Sequence, residues 1–239
     1  LNLKKKVINC FGDIRNEKKL QFVIKKYKPD LIFHLAAQPI LGDSYIDPKY
    51  TYETNSIGTL NLLECLRKNK KVKSCIFVTS DKCYYNKEIR KGYRESDKLG
   101  GKDPYSGSKA SAEIIFQSYY HSFFKDTNLP GIATARAGNV IGGGDFTKYR
   151  LIPDIIKSVL RNQPIKVKNP NSTRPWQHVL DPLNGYLLLS YLLGKNKKKF
   201  NGASYNFGPK KRSIKKVMYL VKEIKKRANF KKKILIRNK

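Results

Sequence analysis

The 239-residue chain is poor in acids, methionine, histidine and paired cysteines, and each shortage removes a class of protein. Its 18 Asp and Glu face 50 Lys and Arg, for a formal net charge of +32. The four cysteines (Cys10, Cys65, Cys75, Cys83) form no Cys-x-x-Cys pair and have no histidine cluster nearby. That spacing argues against a zinc site or a disulfide framework and for reduced, structural thiols. The longest apolar stretch, Tyr186 to Leu193, falls far short of the ~20 residues of a membrane span. No apolar run follows the opening Leu1-Asn2-Leu3-Lys4-Lys5-Lys6, so it is not a signal peptide, and a soluble, cytoplasmic protein is expected. The only methionine is Met218 and the first residue is Leu1, so the sequence reads as a fragment or a processed product. There is no internal repeat, and the scattered glycines and prolines exclude a fibrous or low-complexity protein.

The charge is unevenly spread. Residues 195–239 hold 18 Lys and Arg against one acid, a net of +17, which leaves +15 for the rest. Such a basic segment can bind nucleic acid or an anionic membrane. It has no recognised binding motif, which argues against nucleic acid as a partner and for lysines on solvated helix faces.

Hydrophobic periodicity orders the remainder. Leu20, Val23, Ile24 and Tyr27 share a helix face over 14–27, with Asp13 as the expected N-cap. Short buried strands are expected at Leu31–Leu35, Ser74–Thr79 and Ile132–Ala135. Helices are expected over about 51–68 and from Pro104 to about Phe124, proline being tolerated in a first turn. This alternation predicts right-handed crossover units and a parallel sheet. Beyond Gly144 the pattern changes to a helix at 151–160, a strand at 165–167 and a helix at 182–193. The change implies a smaller α/β lobe over 146–239, interleaved with a sheet domain over 1–145. Ligands of open parallel sheets bind beyond the carboxyl ends of the strands.

The first strand is followed by Ala36-Ala37-Gln38, and the second by Ser80-Asp81-Lys82-Cys83-Tyr84. Near the start of the long helix, Tyr105 and Lys109 stand at i and i+4, on one face. An ammonium beside a phenol stabilises the phenolate and draws the tyrosine pKa from ~10 toward neutrality, giving a usable general base. A Ser or Thr at a strand end followed by Tyr-x-x-x-Lys on the next helix is much more specific than either feature alone.

With His34-Leu35-Ala36-Ala37-Gln38, Asn55-x-x-Gly58-Thr59 and Arg136-x-x-Asn139, these residues resemble the extended short-chain dehydrogenases. Within that group, four stretches resemble the CDP-glucose 4,6-dehydratase family: Thr79–Tyr84, Gly92-Tyr93-Arg94-Glu95, Gly138–Asp145 and Thr173–Val179. The likeness runs from about Cys10 to Pro209. It implies a Rossmann-like doubly wound parallel sheet, tightly held NAD, and dehydration of CDP-glucose to a 4-keto-6-deoxy sugar for deoxysugar and surface-polysaccharide synthesis. By resemblance, Tyr105 is the base at the 4-hydroxyl, Lys109 holds the nicotinamide ribose and Ser80 binds the reacting oxygen. Asp81 is the acid for the leaving 6-hydroxyl. Lys82 is the base at carbon 5 or, alternatively, an ion-pair partner of Asp81.

The resemblance further assigns Asp13, Ala36, Ala37, Gln38 and Asn55 to the cofactor, and Asn139, Arg150 and Arg174 to the CDP-sugar. Asp13 also remains a candidate helix cap, Gly142–Gly144 a flexible turn or a close approach, and Trp176 a core or pocket residue. His178 reads as packed and hydrogen-bonded rather than catalytic. No metal is implied. A homo-oligomer, dimer or tetramer, is expected on the helices at 51–68 and 104–124. The family's Gly-x-x-Gly-x-x-Gly loop is absent, so the sheet is expected to lack its first β-α-β, and the end of the lobe reads as shortened. The competing readings are a sugar-nucleotide epimerase, a dehydratase for another nucleotide, or an inert chain acting through its basic surface.

Overall fold

The computed structural model describes residues 5–89 and 91–236. The opening residues 1–4 and the closing residues 237–239 of the sequence reading lie outside them. The chain divides into two compact units, 1–136 with 186–206, and 137–185 with 207–239. It therefore passes between units three times.

The first unit begins with helix α1 (Glu17–Tyr27) and strand β1 (Leu31–His34). Helices α2 (Leu41–Ile46) and α3 (Pro48–Tyr52) follow, then a π-helical turn at Glu53–Ile57 that leads into α4 (Gly58–Arg67). Strand β2 (Ser74–Val78) precedes α5 (Pro104–Tyr119), which closes in a second π turn before β3 (Gly131–Ala137). β1 pairs with β2 and β2 with β3, both parallel, with Leu31 opposite Ser74 and Cys75 opposite Ile132. The expected parallel sheet is present, and α4 and α5 lie in the connections that its parallel strands require.

Leu62, Leu63 and Leu66 of α4, Phe116 of α5 and Ile24 of α1 pack on Phe77 and Ile132 of the sheet. Phe77 and Phe116 meet edge to face at 5.5 Å, a geometry that aromatic quadrupoles favour. Asp13 does not cap α1. That role falls to Asn16, whose side chain accepts the Lys19 N–H at 2.9 Å, while Asp13 accepts from the backbone and guanidinium of Arg15. The helix expected over 51–68 is divided by its π turn, which buries Thr54, Asn55 and Ser56.

The second unit contains β4 (Val140–Ile141), α6 (Leu151–Leu160), β5 (Ile165–Val167), β6 (Thr173–Pro175) and β7 (Gln177–His178). Helix α7 (Leu180–Lys195) gives its first residues to this unit and the others, from Tyr186, to the first unit. α8 (Lys197–Phe200) and β8 (Ser204–Phe207) follow, with β8 adding a fourth strand beside β3. The chain ends in β9 (Ile214–Lys216), α9 (Val217–Arg227) and β10 (Ile234–Ile236). Ile155, Ile165, Val167, Val217, Val221 and Phe230 form the core of the second unit, and Trp176 packs against it. The basic segment is thus folded over its described residues 195–236, not a free tail. Part of its charge sits where helix dipoles favour cations: Lys225, Lys226 and Arg227 occupy the last turn of α9. Among the described residues no helix is long and apolar enough to cross a membrane.

His34 ends β1 inside the first core, edge-on to Phe77 at 5.6 Å. Burial, with a smaller contribution from the nearby Lys109 ammonium, pushes its pKa down to about 4. The unfolded chain therefore takes up this proton first, and stability should fall as pH drops from about 6.5 to about 4. Unfolding midpoints of the wild type and His34→Gln should converge over that window; a constant gap would contradict a buried neutral ring. Phe116→Ala should cost about 3–5 kcal/mol, read from denaturant unfolding, because a fully buried ring leaves a cavity.

Candidate functional site

The carboxyl end of β2 shows how the backbone presents reactive groups. The Thr79 N–H donates to the Ala135 carbonyl at 2.9 Å, continuing the β2–β3 ladder one residue past the strand. Ser80 then stays extended and caps a single 3₁₀ turn over Asp81–Cys83, its hydroxyl accepting the Lys82 N–H at 3.2 Å. That hydroxyl also donates to Asp81 Oδ1 at 3.2 Å. Ser80 and Cys83 are buried and Lys82 is exposed.

This turn packs against α5. Asp103 fixes where α5 starts: it accepts the Ser106 N–H at 2.9 Å and the Ser106 hydroxyl at 2.7 Å, and Pro104 occupies the first turn. Tyr105 is thereby the second residue of the helix, half-buried, with Lys109 one turn on. Gly107 lies between them because the Tyr52 hydroxyl of α3 fills the space a Cβ would need.

Lys109 is 6% exposed. Its ammonium has no side-chain hydrogen bond or salt bridge among the described residues. Burial lowers its pKa to about 8, with Glu113, one turn further, and Cys83 opposing the shift.

The end of β1 is joined to the same helix by Asn55. Asn55 Oδ1 accepts the Gln38 N–H at 2.8 Å, and its Nδ2 donates to the Gln38 carbonyl at 3.1 Å and the Ser108 hydroxyl at 2.9 Å. The Gln38 side chain folds back onto Ile40 and Thr51, donating to Thr51 Oγ1 at 2.9 Å. Both amides are therefore occupied in shaping the loop after β1. Ala36 lies exposed on that loop and Ala37 half-buried. Asp13 is exposed, and Arg15 holds its carboxyl below the ordinary range.

The residues assigned to the CDP-sugar lie in the second unit. The Asn139 carbonyl accepts the Gln177 N–H at 3.1 Å, Arg150 stands 3.8 Å from Asp145 at the start of α6, and Arg174 lies on β6. Gly144 adopts a positive φ of 78°, with open space around both it and Gly143. His178 is exposed, and its Nδ1 accepts the Leu180 N–H at 3.2 Å.

One feature of this region escaped the sequence reading. Glu113 and Arg136, with side chains 0% and 2% exposed, form a buried ion pair at 2.7 Å behind the Ser80 turn. Glu113 follows Lys109 by four residues, so the one-turn spacing already visible between Tyr105 and Lys109, extended once more, would have found it.

A family profile described as GDP-mannose 4,6 dehydratase matches residues 2–234. The CDP-glucose 4,6-dehydratase of Salmonella typhimurium is 47% identical over 88% of the chain, and the chain spans 59% of that relative's length. The dTDP-glucose 4,6-dehydratase of Bacillus anthracis, solved in complex with NAD, superposes with a TM-score of 0.75 at 27% identity, over 95% of this chain and 66% of that one. The UDP-glucose 4-epimerase of Thermotoga maritima superposes with a TM-score of 0.84 over 100% of this chain and 73% of that one, at 21% identity, and speaks for the fold alone. With a profile match over nearly its whole length and a close relative beside it, the chain belongs to the GDP-mannose 4,6-dehydratase family of Rossmann-type sugar-nucleotide enzymes, CDP-glucose 4,6-dehydratase among them.

Proposed function

We propose that this protein takes part in the NAD-dependent dehydration of CDP-glucose to CDP-4-keto-6-deoxy-glucose. The observation that carries the reading is the packing of the Ser80-Asp81-Lys82 turn against the Tyr105/Lys109 end of α5. An epimerase has no need of an acid and a base beside its tyrosine, so this turn favours a dehydratase. The 47% identity to the Salmonella enzyme supports CDP-glucose as the substrate, and the NAD-bound B. anthracis structure supports the cofactor.

The residues at the strand ends fit a dinucleotide. The ammonium of Lys109, a residue 6% exposed, suits a ribose hydroxyl, and the exposed Ala36 leaves the loop after β1 open to a flat ligand. Lys109, Ala36 and Ala37 would hold the cofactor directly. Gln38 and Asn55 would shape the loop it lies on, and Asp13 would meet the adenine. When bound, NAD supplies a reversible hydride acceptor, so the reaction consumes none.

The chain's own groups manage the protons. Tyr105 removes the proton of the sugar 4-hydroxyl, and the Lys109 ammonium stabilises the phenolate this requires. Ser80 donates a hydrogen bond to the reacting oxygen. Oxidation at carbon 4 acidifies carbon 5, where Lys82 acts as base, and Asp81 delivers a proton to the departing 6-hydroxyl. Asn139, Arg150 and Arg174 serve the nucleotide, guanidinium forks matching diphosphate oxygens. A homo-oligomer is part of the same reading, supported by exposed Ile114 and Phe123 along the 104–124 helix. The product's place is deoxysugar synthesis for surface polysaccharide.

The purified protein, given CDP-glucose and NAD⁺, should form a 4-keto product visible by its alkaline absorbance. Tyr105→Phe should lower the rate by about 10²–10⁴-fold, the usual contribution of a positioned base. Undiminished turnover in that variant, or product from another nucleotide sugar only, would sink the assignment. The rate should also decline as pH rises through about 8, where Lys109 gives up the proton that supports the phenolate. A profile flat to pH 10 would remove that role for Lys109.

A further inference from the structure

Glu113 and Arg136 are placed to do more than fill the core. Glu113 lies on α5 one turn beyond Lys109 and two beyond Tyr105. Its carboxylate accepts from the Thr79 hydroxyl at 2.5 Å, from the Thr134 hydroxyl at 3.0 Å and from Arg136 Nε at 3.0 Å and Nη2 at 2.7 Å. The Ser204 hydroxyl of β8 donates to it at 3.2 Å. Arg136 Nη1 donates to the Tyr84 hydroxyl at 2.8 Å and the Glu95 carbonyl at 3.1 Å, and the guanidinium lies 5.0 Å from the Tyr84 ring centre. Tyr84 in turn donates to Asn206 Oδ1 at 2.7 Å and stacks on Tyr93.

Thr79 and Tyr84 are the two residues that flank Ser80–Cys83. One is held by the carboxylate and the other by the guanidinium. A buried ion pair contributes little net stability compared with an apolar pair of similar size. An apolar pair, however, could not hold both ends of a turn by hydrogen bonds, one from α5 and the other from β3.

We propose that the Glu113–Arg136 pair is a positioning clamp that sets the register of the Ser80-Asp81-Lys82 turn, and of the 93–95 loop, against the Tyr105/Lys109 face of α5. Its catalytic consequence rests on the dehydratase reading; the clamp itself does not. Neither residue is a catalytic residue: both act through Thr79, Tyr84 and the backbone of Glu95.

The experiment compares amide hydrogen exchange and steady-state kinetics in Thr79→Val, Tyr84→Phe and Glu113→Gln. The first two keep the ion pair and should fold even where Glu113→Gln does not. Each should raise exchange at residues 79–85 by about tenfold, the worth of one lost hydrogen bond, and leave α1, α4 and the second unit unchanged. With CDP-glucose, kcat should fall while KM stays within about twofold, since misplacement of the turn costs rate and not binding. Exchange that is unchanged at 79–85, or that rises evenly over the protein, would overturn the clamp and leave the pair a purely structural one. If the wild type shows no turnover, the dehydratase reading falls and the exchange pattern alone decides the clamp.

Discussion

A carboxylate and a guanidinium removed together from water must find all their hydrogen bonds inside the protein. Glu113 and Arg136 find theirs in Thr79, Thr134, Tyr84, Ser204 and the Glu95 carbonyl. Those groups come from the end of β2, from β3, from β8 and from the loop before α5. The need to satisfy one ion pair therefore gathers elements that hydrophobic contact alone would leave free to slide. The apolar core packs the helices onto the sheet, and the buried charges decide where along the sheet α5 comes to rest. Asn55 fixes the other side of the same helix by joining Ser108 to the loop after β1.

Much of this architecture was legible in the residues. The three strands and the helix at 151–160 follow directly from runs and periods of apolar side chains, and the Ser80 and Tyr105/Lys109 groups stand where strand-end reasoning looked for them. The likeness to short-chain dehydrogenases was carried by those same residues, and the family match agrees with it. What periodicity could not show was the interruption of helices. A π turn inserts a residue without altering composition, so the run over 51–68 read as one helix. The cap of α1 was misplaced for a related reason: Asp13 and Asn16 are both capping residue types, and the choice was settled by Arg15, which engages Asp13.

The partition of the chain was harder still. Residues 195–239 read mainly as a basic segment with lysines on solvated helix faces, because charge was their loudest property. Val217, Met218, Val221, Ile224, Phe230 and Ile234 of this segment nonetheless help build the core of the second unit. Nor does anything in a single segment announce that β8 will lie beside β3, since that pairing joins residues far apart in sequence. Lysine-rich composition conceals such contacts by lowering the contrast between buried and exposed faces.

The position of β8 also bears on how the protein is made. β3 ends at Ala137 and β8 begins at Ser204, so the sheet cannot acquire its fourth strand until residues 138–203 have been synthesised. Until then the Thr134 and Arg136 side of β3 lacks Ser204, a partner of the buried charges. Contacts of long sequence separation form late and slow folding, and unpaired strand edges attract other chains while they wait. During synthesis the edge of β3 is thus left unpaired, near the Ser80–Cys83 turn, until Ser204–Phe207 emerges.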